Sequence, residues 1–321
     1  MPILLKMDKK TKRILYELSK NSRLPLKQLA KKISLSESST SYRLKQLYDE
    51  KVILSTAPIV DHSKLGHIVY RAYTKFFGTT PGEEQEILEW LKQQVEVSVL
   101  AKSRGEYEIL IMSVVSSTKK FHEFAKRFKA KYRNKIDVLE TFTYLKTYHF
   151  LRDYLNEEKK NFKEIIITGE ADIEKIDDID KKILRNLALD ARKPVLKIAE
   201  EIKVPVRTVA NRLKLLEKKK IICGYALNID LSKIGREYYK LNIIGNENID
   251  YSSLISFAAN LDSSIYVDET IGKYDFELNI EVENKEELNE IINSIKEKMK
   301  GIRELTIFQI DKYLKLTYLG N

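Results

Sequence analysis

The sequence predicts an α+β chain: a tandem repeat of one unit, each copy a winged helix-turn-helix followed by a ferredoxin-like βαββαβ domain. Three observations predict it. The chain matches itself when shifted by 169 residues; each copy opens with three short amphipathic helices and an apolar β-type run; and each copy continues as strand, helix, strand, strand, helix, strand. At this shift Ile14, Leu15 and Leu18 fall on Ile183, Leu184 and Leu187, and Arg43, Leu44 and Leu47 fall on Arg212, Leu213 and Leu216. Asp61 and Gly66 still land on Asp230 and Gly235, so the repeat is a whole multi-domain unit rather than a solenoid motif.

Within copy one, Lys9 to Lys20 places Ile14, Leu15 and Leu18 on one helical face. Pro25 opens a second helix with Leu26, Leu29, Ala30 and Ile33 on its apolar side; proline suits a first turn, where an N–H would go unpaired. Ser36 stands where an N-cap belongs, ahead of a third helix through Leu44 and Leu47, and Pro205 marks the same boundary in copy two. Val52 to Val60 and Ile221 to Ile229 read as wing strands. The rest of copy one reads as strand His67 to Phe77, helix Glu83 to Gln94, strands Val95 to Lys102 and Tyr107 to Val115, helix Thr118 to Tyr132 and strand Val138 to His149. Copy two repeats the order from Tyr238 to Leu316. In a ferredoxin-like arrangement both helices cover one sheet face, so the other needs a cover, which the sister copy's sheet supplies. The expected boundaries are 1–60, 61–152, a linker at 153–174 with an added strand near Ile165 to Ile167, then 175–229 and 230–321.

Composition excludes several classes. No apolar run reaches the ~18 residues of a membrane span, and the apolar start MPILLKMD is too short for a secretory leader, so a cytoplasmic protein without membrane partners is expected. A single cysteine, Cys223, rules out a disulfide framework or a thiolate zinc site and reads as a small core residue; Trp90 reads likewise as core. His62 and His67 are five apart, not the three or four of a helical metal pair, and neither metal nor cofactor is expected. The charge is uneven: residues 1–160 hold 31 Lys and Arg against 19 Asp and Glu, residues 161–321 hold 26 against 28. A polyanionic partner is implied for the first half.

The third helix of such a unit can enter a DNA major groove. Its exposed candidates are Ser36, Ser38, Ser39, Thr40, Tyr42, Arg43 and Lys45 in copy one, and Arg207, Thr208, Asn211, Arg212 and Lys214 in copy two. Small hydroxyls and Asn allow close approach, while Arg and Lys suit phosphates and guanine edges. Double-stranded DNA is therefore the expected partner.

These residues, with Asp177, Asp180, Asp190-Ala191-Arg192, Ile198-Ala199, Ile221-Ile222 and Ile234-Gly235 in copy two, resemble the Lrp/AsnC (feast/famine) regulators over nearly the whole chain outside the linker. The resemblance implies transcription regulation, a βαββαβ regulatory domain and response to a small effector such as an amino acid. The family's Gly-x-x-Asp hairpin appears as Gly272, Lys273, Tyr274 and Asp275, and in altered form as Gly105, Glu106, Tyr107 and Glu108. It implies an effector site at Gly272, Tyr274 and Asp275, with Gly105, Tyr107 and Glu108 the counterpart. Lys51 and Lys220 stand where the family usually has Gly, and family members usually carry one unit per chain, whereas two copies here imply an intrachain pseudo-dimer, with further homo-oligomers open. Two alternatives remain: a low-specificity architectural DNA-binding protein, and an enzyme similar to the siroheme decarboxylases, which should line a pocket with His and Arg.

Overall fold

In the computed structural model, residues 7–156, 164–317 and 319 are described. The start of the chain and part of the linker lie outside them. Copy one contains α1 (Lys9–Lys20), α2 (Leu26–Ile33), α3 (Glu37–Asp49), β1 (Ile53–Val60), β2 (Ile68–Thr74), α4 (Pro81–Gln93), β3 (Val97–Gly105), β4 (Ile109–Val115), α5 (Thr118–Tyr132) and β5 (Glu140–His149). A short β6 (Ile166–Gly169) leads to copy two: α6 (Asp178–Leu189), α7 (Val195–Ile202), α8 (Val206–Lys218), β7 (Ile222–Ile229), β8 (Glu237–Gly245), α9 (Tyr251–Asn260), β9 (Ser264–Ile271), β10 (Phe276–Val282), α10 (Lys285–Lys298) and β11 (Ile302–Leu316).

Local chemistry sets the helix ends. Asp8, Ser36 and Ser117 each accept an N–H of the first turn of the helix they open, and Asp177 does the same in a capping box with Asp180. The expectation of a wing within each copy needs correcting. β1 and β7 pair antiparallel with each other, Ala57 opposite Ala226, in a two-stranded ribbon shared by the copies. Each copy contributes one strand here, and an unpaired edge is filled by the sister strand. The strands also exchange cores: Leu227 and Ile229 of β7 pack with Ile14, Leu15 and Leu18 of α1, while Val60 packs with Ile183, Leu184 and Leu187 of α6.

The eight remaining long strands form one closed sheet. Within copy one the order is β5-β2-β4-β3 and within copy two β11-β8-β10-β9; β3 then pairs with β11 and β9 with β5, both antiparallel, and β6 adds to β5. The two four-stranded sheets thus face each other and join along both edges, a barrel rather than an open sandwich. Outside, α4 and α5 cover copy one with Ile87, Leu91, Phe124 and Phe128, and α9 and α10 cover copy two with Leu254, Ala258, Ile291 and Ile295. Trp90 stacks on Phe128 at the margin of the first of these cores.

The winged helices are tied to each other by reciprocal contacts. Arg23 donates to the carbonyls of Ala191 and, at 3.0 Å, Lys193; Arg192 donates to those of Ser22 at 2.5 Å and Leu24 at 3.1 Å. Ser22 N–H donates to Tyr225 O and Ala191 N–H to Thr56 O, so each loop after a first helix rests on the other copy's partner in the ribbon. Charge-assisted bonds of this kind contribute ~1.5 to 3 kcal/mol each. The double variant Arg23→Ala/Arg192→Ala is expected to lose at least ~2 kcal/mol in urea unfolding, with each single change losing part of it.

Lys51 and Lys220 both adopt the left-handed region, with φ of 57° and 56°, and both are exposed. A Cβ is unfavourable there by ~1 to 2 kcal/mol, partly offset by the greater chain entropy of glycine. Lys51→Gly and Lys220→Gly are each expected to raise unfolding free energy by ~0.5 to 1 kcal/mol; a loss would show that the lysine side chains hold the helix ends.

Candidate nucleic-acid interface and barrel cavity

The third helices α3 and α8 sit at matched places on the ribbon-locked pair. On α3, Ser36 accepts from Ser39 N–H and its hydroxyl lies 3.0 Å from that of Ser38, which fixes the entry of the helix. Ser38, Ser39, Tyr42 and Lys45 are exposed, Tyr42 at 71%. Thr40 is a correction: its side chain is wholly buried and its hydroxyl donates back to Ser36 O at 2.8 Å, so it faces the domain core. On α8, Arg207, Asn211 and Lys214 are exposed and Thr208 is half-buried.

Arg43 and Arg212 are engaged inside their own domains. Arg43 binds Asp8 at 2.8 Å and Thr11 at 3.0 Å; Arg212 binds Asp177 at 2.7 Å and Asp180 at 3.4 Å. Each therefore braces the third helix against the N-cap of the first. The Thr11 N–H and Arg43 hold the Asp8 carboxyl below its usual range, and the Asp180 N–H and Arg212 do the same for Asp177.

The two hairpins, at the β3–β4 and β9–β10 turns, meet in one shared core. Tyr107 and Tyr274 are buried and their hydroxyls hydrogen-bond to each other, while Lys273 reaches the Tyr107 hydroxyl at 3.2 Å. Glu108 accepts the Phe76 N–H at 3.0 Å and Asp275 the Gly245 N–H at 2.7 Å, so the altered carboxylate of copy one does the same backbone work. A Cβ on Gly272 would lie 2.5 Å from the Phe142 side chain, and one on Gly105 would lie 3.3 Å from Phe308. The glycines thus permit close packing of the hairpins.

None of these hairpin residues lines the barrel's cavity, about 450 Å³ in volume, which lies beneath the β1–β7 ribbon. Sequence reasoning missed it. Three of the four histidines, His62, His67 and His149, line it with Arg71 and Arg152. Burial lowers all three imidazoles, His62 and His149 to about 4, so they are neutral near pH 7. Glu277, fully buried, accepts the hydroxyls of Tyr73 and Tyr144 and lies 3.2 Å from Lys240. Burial alone would raise this carboxyl, but Lys240 and Arg71 hold it below its usual range. Arg71 donates to Tyr144 at 2.6 and 2.8 Å, and Arg152 grips both oxygens of Glu281 at 2.8 and 2.9 Å. The signal that could have revealed this interior is the alternation of Glu277, Asn279 and Glu281 along a strand whose other face is wholly apolar. Among the described residues no group of three His, Cys, Asp or Glu could hold a metal ion, and no helix is long and apolar enough to cross a membrane.

Comparison with known proteins matches residues 7–53 to a winged helix-turn-helix DNA-binding domain and residues 176–217 to an AsnC-type helix-turn-helix domain. The HTH-type transcriptional regulator FL11 of Pyrococcus furiosus is 26% identical over 139 residues, 43% of this chain and 92% of the relative. LrpC of Bacillus subtilis is 26% identical over 137 residues, 43% of this chain and 95% of the relative. Nearly whole relatives thus match less than half of this chain. Among solved structures, the siroheme decarboxylase NirDL superimposes with a TM-score of 0.62 at 11% identity, covering 97% of this chain and 94% of that one, a likeness of fold alone. The helix-turn-helix matches and these relatives make the chain similar to the Lrp/AsnC regulators, with two helix-turn-helix domains on one polypeptide.

Proposed function

We propose that the chain is a sequence-specific DNA-binding transcription regulator in which α3 and α8 read two neighbouring half-sites, roughly 34 Å apart, under the control of a small metabolite. The observation that carries this reading is the pair of exposed recognition faces, Ser38, Ser39, Tyr42 and Lys45 on α3 and Arg207, Asn211 and Lys214 on α8, fixed relative to each other by a shared ribbon. Arg43 and Arg212 set the angle of these helices and, about a third exposed, keep N–H groups for a phosphate. Positive charge is also carried by α5, where Lys120, Lys126 and Lys129 are exposed, whereas α10 has Glu286, Glu287 and Glu290 at the related place. Copy one accordingly supplies more of the phosphate contacts.

A second reading, an enzyme acting on a tetrapyrrole, has one observation in its favour: three histidines and two arginines at one cavity. The arginines are already bound within the protein, Arg152 to Glu281 and Arg71 to Tyr144 beside Glu277, which leaves them poorly suited to the carboxylates of such a substrate. The named HTH-type regulators among the relatives add to the DNA-binding reading.

The test is binding to duplexes recovered by genome-wide site mapping, followed by fluorescence anisotropy. Arg207→Ala combined with Asn211→Ala is expected to weaken specific binding ~10-fold or more and to relax base preference in one half-site, because base-edge contacts contribute ~1 to 3 kcal/mol each. Unchanged affinity with an intact fold would refute base contact by α8. A footprint confined to one half-site per chain counts against paired reading, and equal affinity for random duplexes would favour the architectural alternative.

Neutralising Lys120, Lys126 and Lys129 to Gln is expected to flatten the dependence of log affinity on log salt by ~0.9 for each phosphate these lysines neutralise. Base preference should be unchanged. An unaltered slope would remove α5 from the DNA path.

A further inference from the structure

The barrel is pseudo-symmetric in backbone and asymmetric in chemistry. Strand registers put Arg71 opposite Met112 and Val99 opposite Met112 in copy one, and Lys240 opposite Asn279 and Tyr266 opposite Asn279 in copy two. Equivalent inward positions are therefore Val69 and Tyr238, Val99 and Tyr266, Met112 and Asn279, Leu110 and Glu277. Copy one keeps a cation at Arg71 where copy two has Lys240, but at these positions of β2, β3 and β4 it is apolar where its sister is polar; its own polar lining comes from His62, His67, Tyr144, Thr147 and His149. In a dimer of identical units these positions would be the same; divergence of the two copies sets an apolar patch of Val69, Val99, Leu110 and Met112 in an otherwise polar cavity.

Charged groups on the walls are paired or hydrogen-bonded within the protein, Asp61 by Ser63 and Gly169. Lys240 faces Glu277, Arg152 grips Glu281, Lys146 lies 2.7 Å from Glu170, and Asp268 accepts from Thr147 at 2.7 Å and Asn279 at 2.9 Å. An ion entering would have to break one of these pairs, leaving a buried charge uncompensated. Neutral hydrogen-bonding capacity is left over: Nδ1 of His62 and of His67 are shut from solvent and have no hydrogen-bond partner among the described residues. Buried polar atoms in folded proteins are nearly always satisfied, so these two call for a partner. The cavity's volume falls in the range of small-molecule sites, and its lining joins an apolar patch to many converging polar groups.

We propose that this cavity is a binding site for one uncharged, amphipathic small molecule per chain, with an apolar face against Val69, Val99 and Met112 and hydrogen-bonding groups toward Tyr238, Tyr266, Asn279 and the histidines. Neutral heteroaromatic compounds belong to this class; free amino acids and polycarboxylates do not. The site stands on the cavity's own walls, independently of whether α3 and α8 bind DNA.

Three probes applied to the full chain test it: prodan, a neutral naphthyl ketone; 8-anilinonaphthalene-1-sulfonate, its anionic counterpart in size; and iron-uroporphyrin. The expected result is saturable binding of one prodan per chain with blue-shifted emission, weakened at least tenfold both by Val99→Trp, which fills the apolar patch, and by the gentler Val69→Phe. Circular dichroism and melting of each variant establish its fold, and at least one of the two is expected to fold. Absence of prodan binding overturns the proposal, as does prodan binding that folded filling variants leave unchanged. Displacement of prodan by the sulfonate at lower concentration, or by iron-uroporphyrin with a Soret shift, overturns the uncharged class. DNA affinity of the folded variants, measured in parallel, is expected to match the parent and so separates failure of this site from failure of the regulator reading.

Discussion

Strand edges that close only on the sister copy are the constraint on which the rest of this structure depends. A sheet edge left open exposes a row of N–H and C=O groups that must find water or another strand. Here β1 and β7 are each single strands without a partner in their own copy, and β3 and β11, β5 and β9 would each be open edges of a four-stranded sheet. All of them pair across the duplication. The hydrophobic cores obey the same constraint, because Leu227 and Ile229 complete the packing around α1 while Val60 does so around α6. Neither copy has a complete winged-helix core without the other. Fusion of the copies keeps the sister strand at high local concentration, so a pairing that would otherwise depend on dimer formation becomes intramolecular.

That constraint positions the recognition helices. The ribbon, the Arg23 and Arg192 contacts and the backbone bonds of Ser22 and Ala191 act between the domains, while Arg43 and Arg212 act within them, fixing the third helix to the N-cap of the first. The spacing and the angle of α3 and α8 are therefore set by separate sets of contacts. The ribbon also lies over the barrel cavity, with Pro58, Ile59, Ala226 and Ile229 on its wall. The element that spaces α3 and α8 is thus in contact with the space a ligand would fill.

Much of this was legible in the sequence, and the exceptions have physical causes. The helices Lys9–Lys20 and Thr118–Tyr132 have the ends read from periodicity, because Asp8 and Ser117 cap them by short-range chemistry that the sequence states directly. The duplication and the βαββαβ order were equally open to reading, as was the need for a cover over each sheet. Which strand pairs with which across the copies was not, since backbone edges are alike whatever their side chains. The alternation along β10 is a related case. Period-two alternation normally separates core from solvent, but Glu277, Asn279 and Glu281 are as buried as Leu278 and Ile280 because both faces of this sheet are covered. At the interface, Arg43 and Arg212 read as free cations until Asp8 and Asp177, 35 residues away in each copy, are seen beside them.

The divergence of the two barrel walls then has a natural reading in terms of what each position must satisfy. With Glu277 at the place that Leu110 holds in copy one, a buried carboxylate needs counter-charge, which Lys240 supplies at 3.2 Å and Arg71, bound to the Tyr144 hydroxyl, supplies from further off. Tyr73 and Tyr144 add hydroxyl donors from copy one. The Glu277 carboxylate is thus supported by groups of both copies. Such an arrangement contributes little to stability, because desolvating the charges offsets most of their attraction. Two copies free to differ can carry a buried carboxylate at one of two equivalent positions, Glu277 against Leu110, which is why the cavity's chemistry belongs to the fused chain rather than to either unit.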